Sequence, residues 1–324
     1  MKILFTPSHY GSVLGRHDWE VDQTTLLPVL PEQICHLNQD KDAVRSAHRP
    51  FGISWDRDTI LVTNRKYLLA FDHNLVFQNV LTKRLSPNPH QIIFHEKKVW
   101  ITTPRLDCLT CYFEGNLSHH DHRTGQKINP PLFQGTSHDV HHINSILFAD
   151  GKRYVMEHNR GIRESRIICD GKILDFQIGM RCHGIAVKDG SIYSIDTHGK
   201  RIVRNDGLFS FITEQDHFCR GLCVTDEFVF VGHFPSQPEA FRGFGDAFIT
   251  RFTLELEKID THVLKACGAI NDMRVIDEFD YAHQQSPLES KPARAFDETG
   301  KIWASDRMCD LKSHPNRRSV DHCY

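Results

Sequence analysis

The sequence predicts an all-β protein, a β-propeller of six blades with five as the alternative, and three observations carry that reading. A five-residue pattern recurs as Phe51-Gly52-Ile53-Ser54-Trp55, His90-Gln91-Ile92-Ile93-Phe94, His142-Ile143-Asn144-Ser145-Ile146, His183-Gly184-Ile185-Ala186-Val187 and Arg220-Gly221-Leu222-Cys223-Val224. The lead positions lie 39, 52, 41 and 37 residues apart, which is the length of a four-stranded blade with one insertion in the long step. After each copy comes the same grammar, a charged or glycine-bearing turn and then a second apolar strand.

The first copy runs through Asp56-Arg57-Asp58 into Thr59–Thr63, with an outer strand at Leu68–Phe71. The second turns at His95-Glu96-Lys97-Lys98 into Val99–Thr102. The third turns at Ala149-Asp150-Gly151-Lys152 into Arg153–Met156, with Arg166–Cys169 outside it. The fourth turns at Lys188-Asp189-Gly190 into Ser191–Ile195, and the fifth at Thr225-Asp226-Glu227 into Phe228–Val231, with Phe248–Phe252 beyond. Asp-Gly between apolar runs is a hairpin signal, and the β-branched and aromatic residues on either side suit strands. A sixth unit is split: Ala295–Ser305 repeats the grammar, and Lys2–Thr6 completes its sheet, so N- and C-terminal strands close the ring without an open edge. Residues 14–50 read as an irregular excursion. No linker interrupts the pattern, so residues 1–324 are expected to form one propeller domain.

Composition narrows the function classes. A formal net charge of −2 over 324 residues gives no reason to expect nucleic acid or an anionic membrane as a partner. No apolar run is long enough to span a bilayer. The start, Met1 to His9, is broken by Pro7 and His9 too early for a secretory segment, so the expected location is cytoplasmic. In that compartment the ten cysteines are read as reduced thiols, and Cys108-Leu109-Thr110-Cys111 as part of a strand.

Histidine is over-represented, at 22 residues, and three of these lead copies of the repeat. In a propeller the first residues of innermost strands stand nearest the axis, so His90, His142 and His183 converge with Arg220 on one funnel. Three imidazoles with an open position suit a divalent metal, zinc before iron or copper. Arg220 then suits a substrate carboxylate or oxyanion. His141 competes with His142 for the axis, since alternation along a strand allows only one to face it. His48, just before the first copy, is a candidate fourth ligand. His158, His233 and Tyr281 are candidates for substrate contact or proton transfer. The expected activity is lyase or hydrolase chemistry on a small molecule. A His-ligated iron or copper oxidase or oxygenase is one alternative. The other is a non-catalytic propeller that docks a protein or peptide around Phe234 and Phe241.

The His-Gly-Ile-Ala-Val start at His183 to Val187 resembles the blade starts of the NHL and SMP30-like propellers. Within that group, lead histidines with a nearby arginine resemble the peptidyl-hydroxyglycine amidating lyases, and His-Gly-Ile starts are similar to those of virginiamycin B lyases. The resemblance spans residues 48 to 235. It implies His90, His142 and His183 as zinc ligands and Arg220 as the partner of a substrate oxygen.

Overall fold

The computed structural model describes residues 1–8, 12–28, 50–64, 67–82, 85, 88–129, 139–238 and 241–288. These form six sheets arranged as the blades of a propeller. The N-terminal strands β1 (Lys2–Pro7), β2 (Ser12–Asp18) and β3 (Gln23–Pro28) belong to the last blade. The first blade follows as β4 (Gly52–Asp56), β5 (Thr59–Thr63), β6 (Leu68–Asp72) and β7 (Phe77–Thr82). The second has five strands: β8 (Ile92–His95), β9 (Lys98–Thr103), β10 (Cys108–Phe113), β11 (Asn116–Asp121) and β12 (Lys127–Ile128). The third is β13 (Ile143–Ala149), β14 (Lys152–Glu157), β15 (Arg166–Cys169) and β16 (Lys172–Ile173). The fourth is β17 (His183–Lys188), β18 (Ser191–Asp196), β19 (Arg201–Arg204) and β20 (Phe209–Phe211). The fifth is β21 (His217–Val224), β22 (Phe228–Pro235), β23 (Ala247–Thr253) and β24 (Lys258–Leu264), and β25 (Ile270–Val275) is the inner strand of the sixth.

Ring closure therefore uses Lys2–Pro7, as expected, but its partner is β25, paired antiparallel as Ile3 with Val275 and Phe5 with Met273. Residues 295–305, read as the other half of that blade, lie outside the described residues. The excursion assigned to residues 14–50 is a correction in part. Its first half is regular, with His17 pairing Thr24 and Arg16 pairing Thr25 in the outer strands of blade six. The sequence concealed this because β2 carries Gly15, Arg16, His17 and Asp18 where an apolar alternation would be recognised. No helix among the described residues is long and apolar enough to cross a membrane.

Apolar residues of adjacent blades fill the wedges between sheets. One cluster joins Ile93 and Leu109 of blade two to Leu147 and Val155 of blade three and Ile185 of blade four. Toward the axis the inner strands fan apart, and backbone N–H groups that no strand can reach must find side chains. The N–H of Phe94 donates to Ser54 Oγ at 2.7 Å, Ile146 to Gln91 Oε1 at 2.8 Å, Gly184 to Ser145 Oγ at 3.0 Å and Ile53 to Asp272 Oδ2 at 3.1 Å. The glycine after the lead residue has a steric cause, most clearly at Gly184. Its φ is +71°, at a bulge between His183 and Ile185, and a Cβ there would stand 2.8 Å from Leu222 Cβ. A side chain at that point meets both the left-handed backbone and the next blade.

Residues 277–288 cap the axis at the end opposite the lead residues. Asp280 accepts from the Val224 and Val275 N–H groups, each at 3.3 Å. His283 Nε2 meets the Ile92 carbonyl at 3.2 Å, Gln284 donates to the Val187 carbonyl at 2.7 Å, and Gln285 donates to the Trp55 and Phe94 carbonyls at 2.7 and 3.2 Å. The segment thus ties together the inner strands of five blades. Within the channel the fully buried Arg274 makes a two-pronged ion pair with Asp272, at 2.8 and 2.9 Å.

Candidate functional site

Counting back from the hairpin turns gives the residue that truly leads each inner strand. Lys188 pairs Ser191 in blade four, and Ala149 pairs Lys152 in blade three. His183 therefore corresponds to Asn144, and His142 precedes the lead position by two residues. Phe51, His90, Asn144, His183, Arg220 and Asn271 line one cavity on the axis, together with Gln91, Ser145 and Asp272 beneath them. The open space at its base is about 30 Å³, room for a couple of water molecules, so it takes an ion or the end of a ligand and not a whole one.

His142 nevertheless reaches this site from the loop above. The Asp107 carboxylate accepts the Val140, His141 and His142 N–H groups at 2.6, 2.9 and 2.9 Å. This holds His142 at φ +51°, a conformation that costs a non-glycine residue of order 1–3 kcal/mol. The consequence is divergence of two adjacent rings. His142 turns to the axis, and His141 turns outward to Arg163 and Glu157. Asp107 is thereby a positioning residue for His142. If the axial rings hold a metal, replacing Asp107 with alanine is expected to lower its affinity about 10–100-fold, as loss of a ligand's support does elsewhere. Competition against a chelator measures this.

A crescent of rings results. Phe51 stacks on His90 with centroids 5.3 Å apart, His90 meets His142 at 5.1 Å, His142 meets His158 at 5.0 Å, and His158 meets His183 at 5.0 Å. Phe218 closes it against His183 at 5.7 Å, and the Arg220 guanidinium lies 5.0 Å over the Phe218 ring. The hydrogen bonds behind the crescent set which ring nitrogen faces inward. His90 Nδ1 donates to the Asn88 carbonyl at 3.0 Å. His142 Nδ1 donates to the Asp139 carboxylate at 2.9 Å. Thr197 gives its only hydroxyl proton to the Cys219 carbonyl at 2.8 Å, so at 2.9 Å it can only accept from His183 Nδ1. All three therefore carry a proton on Nδ1; in His90 and His183 this leaves Nε2 as a lone pair, and buried His183 Nε2 has no hydrogen-bond partner. His158 is the opposite tautomer: its Nδ1 accepts from the Arg160 N–H at 3.1 Å, so its Nε2 bears the proton.

Burial pushes the His90 and His183 rings well below the usual imidazole range, His142 and Arg220 adding to the effect at His90 and Arg220 and His158 at His183. Burial, with His142 and Arg220, brings His158 down to about 2. These rings are neutral at physiological pH, the form a metal ligand needs.

Other expected residues fall elsewhere. His233 lies within β22, not on the funnel, because that strand runs on to Pro235. It bonds His217 at 2.8 Å and Thr250 at 2.9 Å, and burial holds it at about 3. Tyr281 belongs to the cap on the opposite face, where its hydroxyl donates to Asp226 at 2.8 Å. Position in the sequence near His283 gave no sign that the chain had crossed the axis by then. Phe234 is buried, so it offers no docking surface, whereas Phe241 is exposed. His48 lies outside the described residues. Cys108 and Cys111 are buried thiols, and burial raises both, which makes them inert. Sequence reasoning missed Asn144 and Asp107. The hairpin turn at Asp150-Gly151 was the signal for the first.

Two other groups among the described residues bring ligand atoms within 4.8 Å of one another and so could hold a metal. The axial rings stand wider than that. In one group, His122, His141 and Glu157, cations and hydrogen bonds engage most of the ligand atoms, while buried Glu157 Oε2 has no hydrogen-bond partner. Arg123 donates to Glu157 Oε1 at 2.8 Å, His122 Nε2 meets the same oxygen at 3.0 Å, and Arg163 donates to His141 Nδ1 at 2.9 Å. The positive partners around Glu157 hold its carboxyl down at about 2 against the effect of burial. The second group, His17, Asp22 and His262, has no guanidinium on its ligand atoms.

No family model matches the chain, and no curated protein sequence matches it. Solved structures do. A chain in a nidogen/laminin complex is similar at TM-score 0.57 and 11% identity, covering 84% of this chain and 97% of that one. A protein of unknown function from Bacteroides caccae is similar at 0.53 and 11%, with 84% and 97% covered. Virginiamycin B lyase from Staphylococcus aureus is similar at 0.40 and 14%, with 70% and 95% covered. At such identities the likeness shows the fold alone.

Proposed function

We propose that the protein is a metal-dependent enzyme acting on a small molecule at the axial funnel, by lyase or hydrolase chemistry. The observation that carries this is the hydrogen-bond pattern: His90, His142 and His183 are each held through Nδ1 by an acceptor, which leaves Nε2 as the ring atom for a ligand bond. An acceptor behind each ligating imidazole is what metal centres use to orient their histidines. The rings stand too wide to share one ion as they are and must swing inward to do so. A divalent metal bound there would polarise a substrate oxygen or lower the pKa of bound water. Arg220 places a fixed positive charge beside that oxygen, and His158 aims a neutral N–H donor at it. With the funnel base so narrow, the reacting end of the substrate enters and the remainder stays in the mouth.

The expected result is that His183→Ala and His90→Ala each bind one metal equivalent fewer than the wild type, measured by elemental analysis after dialysis. His158→Gln keeps the full content, because its Nε2 carries a proton and is no ligand. Unchanged metal content in both alanine variants would sink the proposal. Zinc gives a colourless protein, and a visible absorption band from iron or copper would turn the chemistry toward oxidation.

A further inference from the structure

We infer a second metal site, distinct from the funnel, at the seam where the propeller closes. His17 is on β2 of blade six, Asp22 is in the turn that follows, and His262 is on β24, the outermost strand of blade five. Their ligand atoms converge. His17 Nε2 lies 3.0 Å from His262 Nδ1, His262 Nδ1 lies 3.3 Å from Asp22 Oδ1, and the third edge is 4.0 Å. Zinc bonds of about 2.0–2.2 Å in a tetrahedron put neighbouring ligand atoms roughly 3.4 Å apart, and these three edges straddle that value. Two imidazoles with one carboxylate select a borderline transition ion, zinc, cobalt, nickel or copper, over calcium or magnesium.

The surroundings are built to hold the ligands still. Behind His17, Nδ1 meets Thr24 Oγ1 at 3.0 Å, the kind of support that aims Nε2 outward. His262 is stacked on Trp19 with centroids 3.9 Å apart and planes 5° from parallel, and Trp19 in turn packs on Phe230 of blade five. The Arg251 guanidinium lies over the Trp19 ring and is neutralised by Asp260 at 2.6 Å, so it does not occupy the ligand atoms. Asp22 is 65% exposed, which leaves the fourth position open to water. The N-terminal strands complete blade six by pairing with β25, supported by side-chain contacts such as the Lys2 N–H with Asp277 and Thr6 with Asp272. An ion bridging His17 to His262 fastens them to the preceding blade and stabilises the closed ring.

The test compares wild type with His262→Phe, which keeps the stacked ring and removes the ligand, and with Asp22→Ala, which changes only an exposed turn. Zinc or cobalt alone is the probe. Each variant is expected to bind one equivalent fewer than wild type, and to lose the rise in melting temperature that zinc gives at the seam. Cobalt bound to wild type is expected to show the visible bands of a four-coordinate site, reduced in His262→Phe and retained in His183→Ala. If the funnel binds no metal, wild type binds one equivalent and His262→Phe binds none, so the two proposals fail separately. Equal stoichiometry and equal melting shift in wild type, His262→Phe and Asp22→Ala would overturn the seam site.

Discussion

Titrated downward from pH 7.5, the protein is expected to lose most of its stability between pH 6.5 and 5. The cause is a set of histidines that fold neutral. Burial brings His17 to about 4, His158 to about 2 and His233 to about 3, and carries His90, His183 and His283 well below the usual range. In the unfolded chain each titrates near 6.5. Folded values are depressed, so the unfolded chain takes up protons that the folded one refuses. Their contribution is therefore complete above about pH 6.5 and is lost as pH falls towards the folded values. Each group costs about 1.4 kcal/mol per pH unit in that window, and several acting together rival the whole stability of a domain, about 5–15 kcal/mol. Asp272 and Asp280 act in the opposite sense. Burial raises both to about 6, so their penalty at neutral pH is relieved on acidification, but they are two against six. Urea unfolding at pH 7.5, 6.5 and 5.5 measures the slope. A stability that is flat across those points contradicts the neutral-histidine reading.

The second large effect is at the buried ion pair of the channel. Arg274→Met is expected to destabilise the fold by about 3–5 kcal/mol, because it strands a buried carboxylate without its partner. Asp272 also accepts the Ile53 and Met273 N–H groups at 3.1 Å each, so it cannot turn away to water. The double variant Asp272→Asn with Arg274→Met removes the charge and keeps an acceptor for one of those two N–H groups, which bond to different carboxylate oxygens. Its loss should be clearly smaller than that of Arg274→Met alone. Equal losses in the two variants would show that Arg274 contributes through packing and not through charge.

Much of the fold was legible because a propeller repeats its signals. The turns after Trp55, Phe94, Phe148, Val187 and Val224 bracket inner strands, and alternation fixed the second strands without long-range information. The funnel was legible in part. His90, His183 and Arg220 sit at the lead positions read from the motif, but at blade three the histidine was used as the anchor where the hairpin turn is the reliable one. His142 reaches the axis for a different reason, through three backbone N–H groups that a distant Asp107 gathers. The expected loop after the second strand places His233 on the rim, and nearness to His283 places Tyr281 there; strand length and a chain crossing move them.

By itself the sequence determined the blades, their turns and the gathering of histidines on one axis, since these follow from local periodicity and from where an inner strand begins. Tertiary structure alone decided which proton each imidazole carries, because that depends on acceptors such as Thr197 and Asp139 fixed only when loops and strands are in place. It alone joined β2 to β24 at the closing seam. Those strands are more than two hundred residues apart in the chain, and only ring closure makes them neighbours.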